Sequence, residues 1–223
     1  MTNQNSRFLA REHSGLIEIS SRIIDISSIL LAALLVTHFT ETHFINIQNW
    51  TLLVFVKILL CLIIFKESQL YRSWRGRPFS DQFSRLIISF ILSSSIMLLF
   101  WSALNLKVII RLDQFLVWLA ISGAMIFTLR AIAYTFVREL RKKGINQKKV
   151  IIYGAGDLGK SLLNRSISSP ESGFLVTGFI DDGKSQSTTI HNKPVIGGID
   201  QLPLIIETNP IDEIWLALPL KAI

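Results

Sequence analysis

Four long apolar stretches follow one another in the first part of the chain, at Ile23 to Phe39, Trp50 to Phe65, Leu86 to Leu104 and Phe115 to Phe136. A helix needs about 20 apolar residues to cross the hydrocarbon core of a bilayer, where only helices and closed barrels satisfy their own backbone polar groups. The first two stretches are short and borrow flanking residues, but four in succession argue against buried soluble helices. They predict a four-helix transmembrane domain over residues 23–143, in contact with the lipid bilayer, after a short N-terminal segment, 1–22. That segment holds Arg7, Arg11, Glu12 and Glu18 and has neither an apolar core nor a small-residue cleavage site, so it does not read as a secretory signal.

The formal charge of +7 is concentrated in the same part: residues 1–143 hold 16 Lys and Arg against 8 Asp and Glu, and residues 144–223 hold 7 against 8. Lys and Arg close to helix ends are retained in the cytoplasm. They crowd before the first stretch (Arg7, Arg11, Arg22), between the second and third (Lys66, Arg72, Arg75, Arg77, Arg85) and after the fourth (Arg138, Arg141, Lys142, Lys143, Lys148, Lys149). The loop at 40–49 has none, and the loop at 105–114 has only Lys107 and Arg111. This alternation predicts a multi-pass protein of the bacterial inner membrane with both termini in the cytoplasm. A basic excess of that origin, with no basic stripe interleaved with aromatics in the second part, excludes a nucleic-acid partner. Trp50, Tyr71, Trp74, Trp101, Trp118 and Tyr134 fall near helix ends and are expected at the headgroup level. Asp25 and Lys57 are charges that fall within the apolar stretches. Asp25 is expected at the interface, and Lys57 is expected to snorkel on its long stem, although ionisable residues there are functional candidates by default.

Beyond Lys143 the pattern changes to short β-rich runs separated by turn residues. KKVIIYG (148–154) reads as a buried parallel strand, followed by a helix from about Leu158 to Ile167 and a second strand FLVTGFID (174–181). A polar loop to about Lys193, the short PVIGG, a helix through Gln201 to Glu207 and a last strand DEIWLALP (212–219) follow. Strands alternating with helices predict an incomplete α/β Rossmann-like domain with a parallel sheet over 144–223, carrying about three strands.

Gly154, Gly156 and Gly159 form a G-x-G-x-x-G sequence between the first strand and the first helix of this domain. In that setting the first glycine makes the tight turn, the second admits a phosphate to the backbone, and the third lets helix pack on strand. Asp181 and Asp182 stand 22 and 23 residues after Gly159, where an acid would accept ribose hydroxyls. Asp157 inside the turn is repulsive to a phosphate unless it points away. Nucleotide binding and a purely packing role for the glycines both stand at this point, with a UDP-sugar or NAD as the ligands to test.

A second candidate is QLYRSWRGRPF (69–79), where alternating aromatics and the arginines Arg72, Arg75 and Arg77 suit a phosphate or lipid headgroup. Topology charge plus an aromatic belt would give the same letters. Cys61 is the only cysteine and His13, His38, His43 and His191 are scattered, so no metal cluster or catalytic constellation is read from the sequence.

Taken together, the four apolar stretches, the LYRSWRG loop, KKVIIYGAGDLGKSLL, GFLVTGFIDD and IDEIWLALP resemble the N-terminal half of the polyprenyl-phosphate sugar-1-phosphate transferases. The likeness is to undecaprenyl-phosphate glucose phosphotransferases of the colanic-acid type. That resemblance implies a part in starting exopolysaccharide or capsule repeat units, by transfer of a sugar 1-phosphate from a UDP-sugar to undecaprenyl phosphate. It also implies that the chemistry, with its acidic residues and Mg²⁺, belongs to a separate C-terminal domain. Residues 1–223 then correspond to an N-terminal fragment, and no catalytic residue or metal ligand is carried over. Membrane-bound nucleotide-sugar dehydratases resemble the same architecture less closely. A non-enzymatic membrane anchor or regulatory module, self-associating through its helices with Ser93, Ser94 and Ser95 as packing candidates, is the third reading.

Overall fold

The computed structural model describes residues 4–39, 47–72, 75, 76, 78–103, 111–186 and 188–218, with side chains left out at 4–17 and 47–49. The loop at 40–46, Lys107, Trp74 and Arg77 lie outside the described residues, as do the side chains of Arg7, Arg11 and His13. The chain divides into two compact units, Ser14–Thr135 and Phe136–Ile223 together with Met1–His13.

The first unit is helical. Its elements are α1 (Gln4–Phe39), α2 (Ile47–Glu67), α3 (Phe79–Ala103) and α4 (Leu112–Lys142), the first beginning before the unit and the last continuing beyond it. Among the described residues three helical segments, Glu18–Phe39, Phe79–Ala103 and Leu112–Lys142, are long and apolar enough to cross a membrane. The α2 segment carries Lys57 in its middle and Lys66 and Glu67 at its end. Leu34, Phe39, Leu52, Phe55, Ile88 and Leu99 are each 60% or more exposed, an arrangement that water would not favour and lipid would.

Aromatic residues fill the interior. The Trp118 indole N–H donates to the Ile29 carbonyl at 3.4 Å, Trp50 meets Trp118 edge-on with centroids 4.8 Å apart, and Trp101 stacks on Phe115 at 6.2 Å. Trp50, Tyr71 and Trp118 are therefore buried in the bundle, and their rings face neighbouring helices instead of the outer surface of the bundle. Their positions near helix ends are real, but facing partners on other helices offer both apolar contact and hydrogen bonds. α3 and α4 approach closely at Gly123, where a Cβ would lie 2.8 Å from the Phe90 ring.

The second unit holds β1 (Lys148–Tyr153), α5 (Asp157–Ser168), β2 (Phe174–Ile180), β3 (Thr189–Ile190), β4 (Lys193–Gly197), α6 (Leu202–Thr208) and β5 (Glu213–Leu216). The strand order is β3-β4-β2-β1-β5. β1 pairs in parallel with β2 and β5, and β2 with β4. β3 pairs antiparallel with β4, so the sheet is mixed and five-stranded, where a parallel sheet of about three strands was expected. The added hairpin turns on His191 and Asn192, both left-handed at φ 46° and 64°, the conformation of a two-residue turn whose twist matches its strands.

β1 is buried on both faces. Ile152 joins Leu163 of α5, Val176 and Phe179 on one side, while Ile151 joins Ile180 and Ile205 of α6 on the other. The β1–β2 ladder slips between Val150 and Ile151, leaving Thr177 as an extra residue whose hydroxyl donates to the Val150 carbonyl at 3.1 Å.

Candidate functional site

The glycine-rich turn connects β1 to α5 at the C-terminal edge of the sheet. Gly154 has a φ of 106°, and a Cβ there would stand 2.5 Å from the Ala217 carbonyl oxygen. At Gly159 a Cβ would stand 2.0 Å from the Gly154 carbonyl oxygen. Both positions exclude a side chain for reasons internal to the fold. Gly156 differs: it is exposed, its φ of −81° is open to any residue, and nothing lies within 4 Å of a Cβ placed on it. It is the N-cap of α5 and offers no side-chain oxygen to the first N–H groups of that helix. Asp157, the residue of concern, is exposed and pairs with Lys160 at 3.1 Å.

Asp181 and Asp182 both arrive beside this turn, with distinct partners. Asp181 accepts the Ala155 N–H at 2.7 Å and the Gly183 N–H at 2.9 Å. Asp182 accepts the Ile199 N–H at 2.7 Å and the Tyr153 hydroxyl at 2.7 Å. The structure thus unites Gly154, Gly156, Gly159 and Asp181, and turns Asp182 toward the start of the segment before α6. Lys184, which the sequence reading passed over, reaches the same turn and donates to the Ala155 carbonyl. Its only sequence signal is a basic residue following the Asp pair.

The Ile199 N–H, and after it the Tyr153 hydroxyl, hold the Asp182 carboxyl below its usual range. A carboxylate lowered in the folded state contributes stability above its unfolded pKa and loses it as pH falls through the folded value. Protection of the Ile199 amide against hydrogen exchange is expected to hold at neutral pH and to decline as pH drops through the carboxylate range and below. Asp182→Asn should flatten that dependence; an unchanged profile would show that the bond does not anchor this turn.

The arginine-bearing loop begins where α2 stops. Gln69, left-handed at φ 59°, ends the helix with the Leu70 N–H bonded to the Phe65 carbonyl and the Gln69 N–H to the Lys66 carbonyl, each at 2.9 Å. This 6→1 and 5→2 pair is the Schellman arrangement, here completed by a non-glycine residue. Arg72 is exposed and Arg75 half-buried.

Beneath the loop lies a buried polar cluster that the sequence did not foresee as a unit. Arg130 of α4 donates from Nε to Asp25 Oδ1 at 2.9 Å and from Nη2 to Asp25 Oδ2, a two-pronged pair. Arg130 Nη1 also donates to the Leu70 carbonyl at 3.2 Å, and the Tyr71 hydroxyl donates to Asp25 Oδ2 at 2.9 Å. Asp25 is 1% exposed and Arg130 8%, so Asp25 is enclosed among α1, α4 and the loop and does not reach out of the bundle. Lys57 likewise does not snorkel. Fully buried, it donates to Ser93 and Ser94 of α3, each at 2.9 Å, with its ammonium 4.6 Å from the Phe90 ring centre. Neutral acceptors on the next helix hold the ammonium inside the bundle. Ser93 and Ser94 pack between helices within one chain, and Ser93 also contacts Cys61 at 3.5 Å.

Comparison with known proteins agrees with the resemblance. The chain is 28% identical over 99% of its length to a UDP-glucose:undecaprenyl-phosphate glucose-1-phosphate transferase of Klebsiella pneumoniae. Transferases of the same description from Escherichia coli (strain K12) and Xanthomonas campestris pv. campestris are 25% and 21% identical over 98% of it. The chain spans about half the length of these curated relatives, 46% of each. The sequence pattern of one family, described as a CoA-binding domain, matches residues 66–223, which take in α3, α4 and the whole of the sheet. With that match covering most of its length, the chain belongs to the CoA-binding domain family.

Proposed function

We propose that this chain is the membrane and α/β portion of a sugar-1-phosphate transferase that starts an exopolysaccharide or capsule repeat unit, taking the sugar phosphate from a UDP-sugar to undecaprenyl phosphate. The observation that carries the reading is the match of three such transferases along almost the whole chain. In this reading all four helices span the inner membrane, α2 included because Lys57 has its partners inside the bundle. The loop charges support a topology with both termini in the cytoplasm. The helical domain then occupies residues 23–143 and a Rossmann-like domain residues 144–223, with catalysis supplied by the other half of the full-length enzyme. Arg72, Arg75 and Arg77 are the candidate contacts for phosphate groups at the cytoplasmic leaflet.

A chimera tests this reading. Residues 1–223 replace the matched portion of the Escherichia coli transferase, and glucose 1-phosphate transfer from UDP-glucose to undecaprenyl phosphate is followed in membranes. Transfer is expected to continue; a chimera that inserts and accumulates but transfers nothing contradicts it.

For the α/β unit, the openness of Gly156 favours a ligand with a phosphate or pyrophosphate over glycines kept for packing alone. The turn, the α5 N-terminus and Lys184 fit the phosphate end, and a bound nucleotide would supply its own chemistry or act as a regulatory signal. Asp181 and Asp182 would meet its ribose only through lone pairs left over from the bonds they already accept. Titration of the full chain in detergent with coenzyme A, UDP-glucose and NAD should show binding by at least one. Gly156→Val should weaken that binding about tenfold or more with the fold intact, because a branched side chain fills the phosphate approach. Failure of all three ligands at millimolar concentration returns the turn to a packing role.

A further inference from the structure

The polar cluster under the arginine loop does more than join helices, because it fixes the root of the loop. Leu70 and Tyr71, both buried, directly precede Arg72. Arg130 holds the Leu70 carbonyl and Asp25 holds the Tyr71 hydroxyl. The guanidinium carbons of Arg22 and Arg130 lie 5.2 and 5.3 Å from the Tyr71 ring centre, within cation–π range. Tyr71 is thereby gripped by α1 through Asp25 and Arg22 and by α4 through Arg130.

The charges at this end of the helical unit are unevenly matched. Asp25 is committed to Arg130 and Tyr71, and Glu18 to Arg22. The Arg22 side chain is 42% exposed, and among the described residues its buried Nε has no hydrogen-bond partner and one Glu18 oxygen is its acceptor, for a group with five donors. Arg72, next to the residue on which Arg22 stacks, is exposed. Ile19 and Ile23, on either side of Arg22 along α1, are 55% and 58% exposed. Cationic donors beside bare isoleucines match a molecule that is acidic at one end and apolar along its length.

We infer that Arg22 and Arg72 bind the phosphate head of an anionic glycerophospholipid, and that Asp25, Arg130 and Tyr71 are positioning residues that set the loop for it. This rests on the reading of the LYRSWRG segment as phosphate-facing, and adds Arg22 together with the device that holds the segment in place.

The test uses the full chain in nanodiscs of phosphatidylcholine and phosphatidylglycerol, with lipid retained after extraction identified by native mass spectrometry. The wild type should retain phosphatidylglycerol in preference to phosphatidylcholine. Arg22→Gln and Arg72→Gln should each lower that retention roughly fivefold, the effect of removing one cation near an acidic lipid surface, while Arg22→Lys keeps most of it. Tyr71→Phe, which keeps the ring and removes only the hydroxyl, should lower retention by a similar factor with both arginines present and the helical unit still folded. Wild-type retention by both glutamine variants overturns the inference. If Arg72→Gln alone lowers retention, while Arg22→Gln and Tyr71→Phe do not, the phosphate reading of the loop survives and the inference falls by itself. Displacement of phosphatidylglycerol by an equal mole fraction of a polyprenyl phosphate would overturn the glycerophospholipid assignment in favour of a phosphomonoester lipid.

Discussion

Asp25→Ala is expected to destabilise the helical unit by about 3–5 kcal/mol, because it leaves the Arg130 guanidinium buried with no counter-charge. The carboxylate accepts three hydrogen bonds, two from Arg130 and one from Tyr71, and is almost wholly enclosed. An ion pair so placed is not itself a large net stabiliser, since each charge also gives up its hydration. The double variant Asp25→Leu with Arg130→Leu should therefore recover most of the loss. The pair would then be worth far less than either single substitution suggests, and a double-mutant cycle measures the difference. Reversible unfolding in detergent, read by tryptophan fluorescence from Trp50 and Trp118, reports on the same core. A single variant within about 1 kcal/mol of the wild type would mean that the guanidinium finds water or another acceptor, contrary to the burial described.

Gly159→Ala is the second large effect. One methyl group would be driven to 2.0 Å from the Gly154 carbonyl oxygen and 3.2 Å from the Phe179 ring. The first of these is backbone and cannot turn aside, so α5 must lift from β1. Overpacking of this kind costs about 1–3 kcal/mol, and more where backbone has to move; the upper end is expected here. Gly156→Ala is the matched control, because its methyl enters open space at an ordinary φ and should change the melting of the α/β unit little. Equal melting temperatures for the two variants would defeat the division of the glycines into two packing positions and one open one.

The elements carried by strong local patterns were legible in the sequence. β1, α5 and β2 fall within a residue or so of their expected limits, since a run such as VIIY closed by glycine has few other ways to fold. The β3–β4 hairpin was missed because two residues of strand give no alternation to read, and His191-Asn192 lacks the glycine that marks most such turns. Around the glycine turn, spacing alone brought Asp181 to its place, but not the fact that its oxygens are already engaged by Ala155 and Gly183. The largest gap lies in the helical unit. Asp25 and Arg130 are 105 residues apart, and Arg130 lies well inside the fourth apolar stretch, so no local pattern joins them. Lys57 was assigned to the lipid boundary for the same reason: the serines that accept its protons belong to the next helix.

Those separations bear on how such a protein can be made. A lysine at the centre of a lone helix costs about 2.5–3.5 kcal/mol to insert, and an aspartate a similar amount. In the proposed four-span arrangement α2 is poorly suited to lipid until α3 emerges, because the acceptors of Lys57 are 36 and 37 residues downstream, and the two are best delivered as a single hairpin. Asp25 waits longer, for an arginine 105 residues later, which at about 5–20 residues per second is roughly 5–20 seconds of synthesis. During that interval α1 is an unfinished span. The arrival of α4 closes the bundle and seats Tyr71, so the root of the arginine loop is set only when the membrane part is complete, as the α/β unit begins to leave the ribosome.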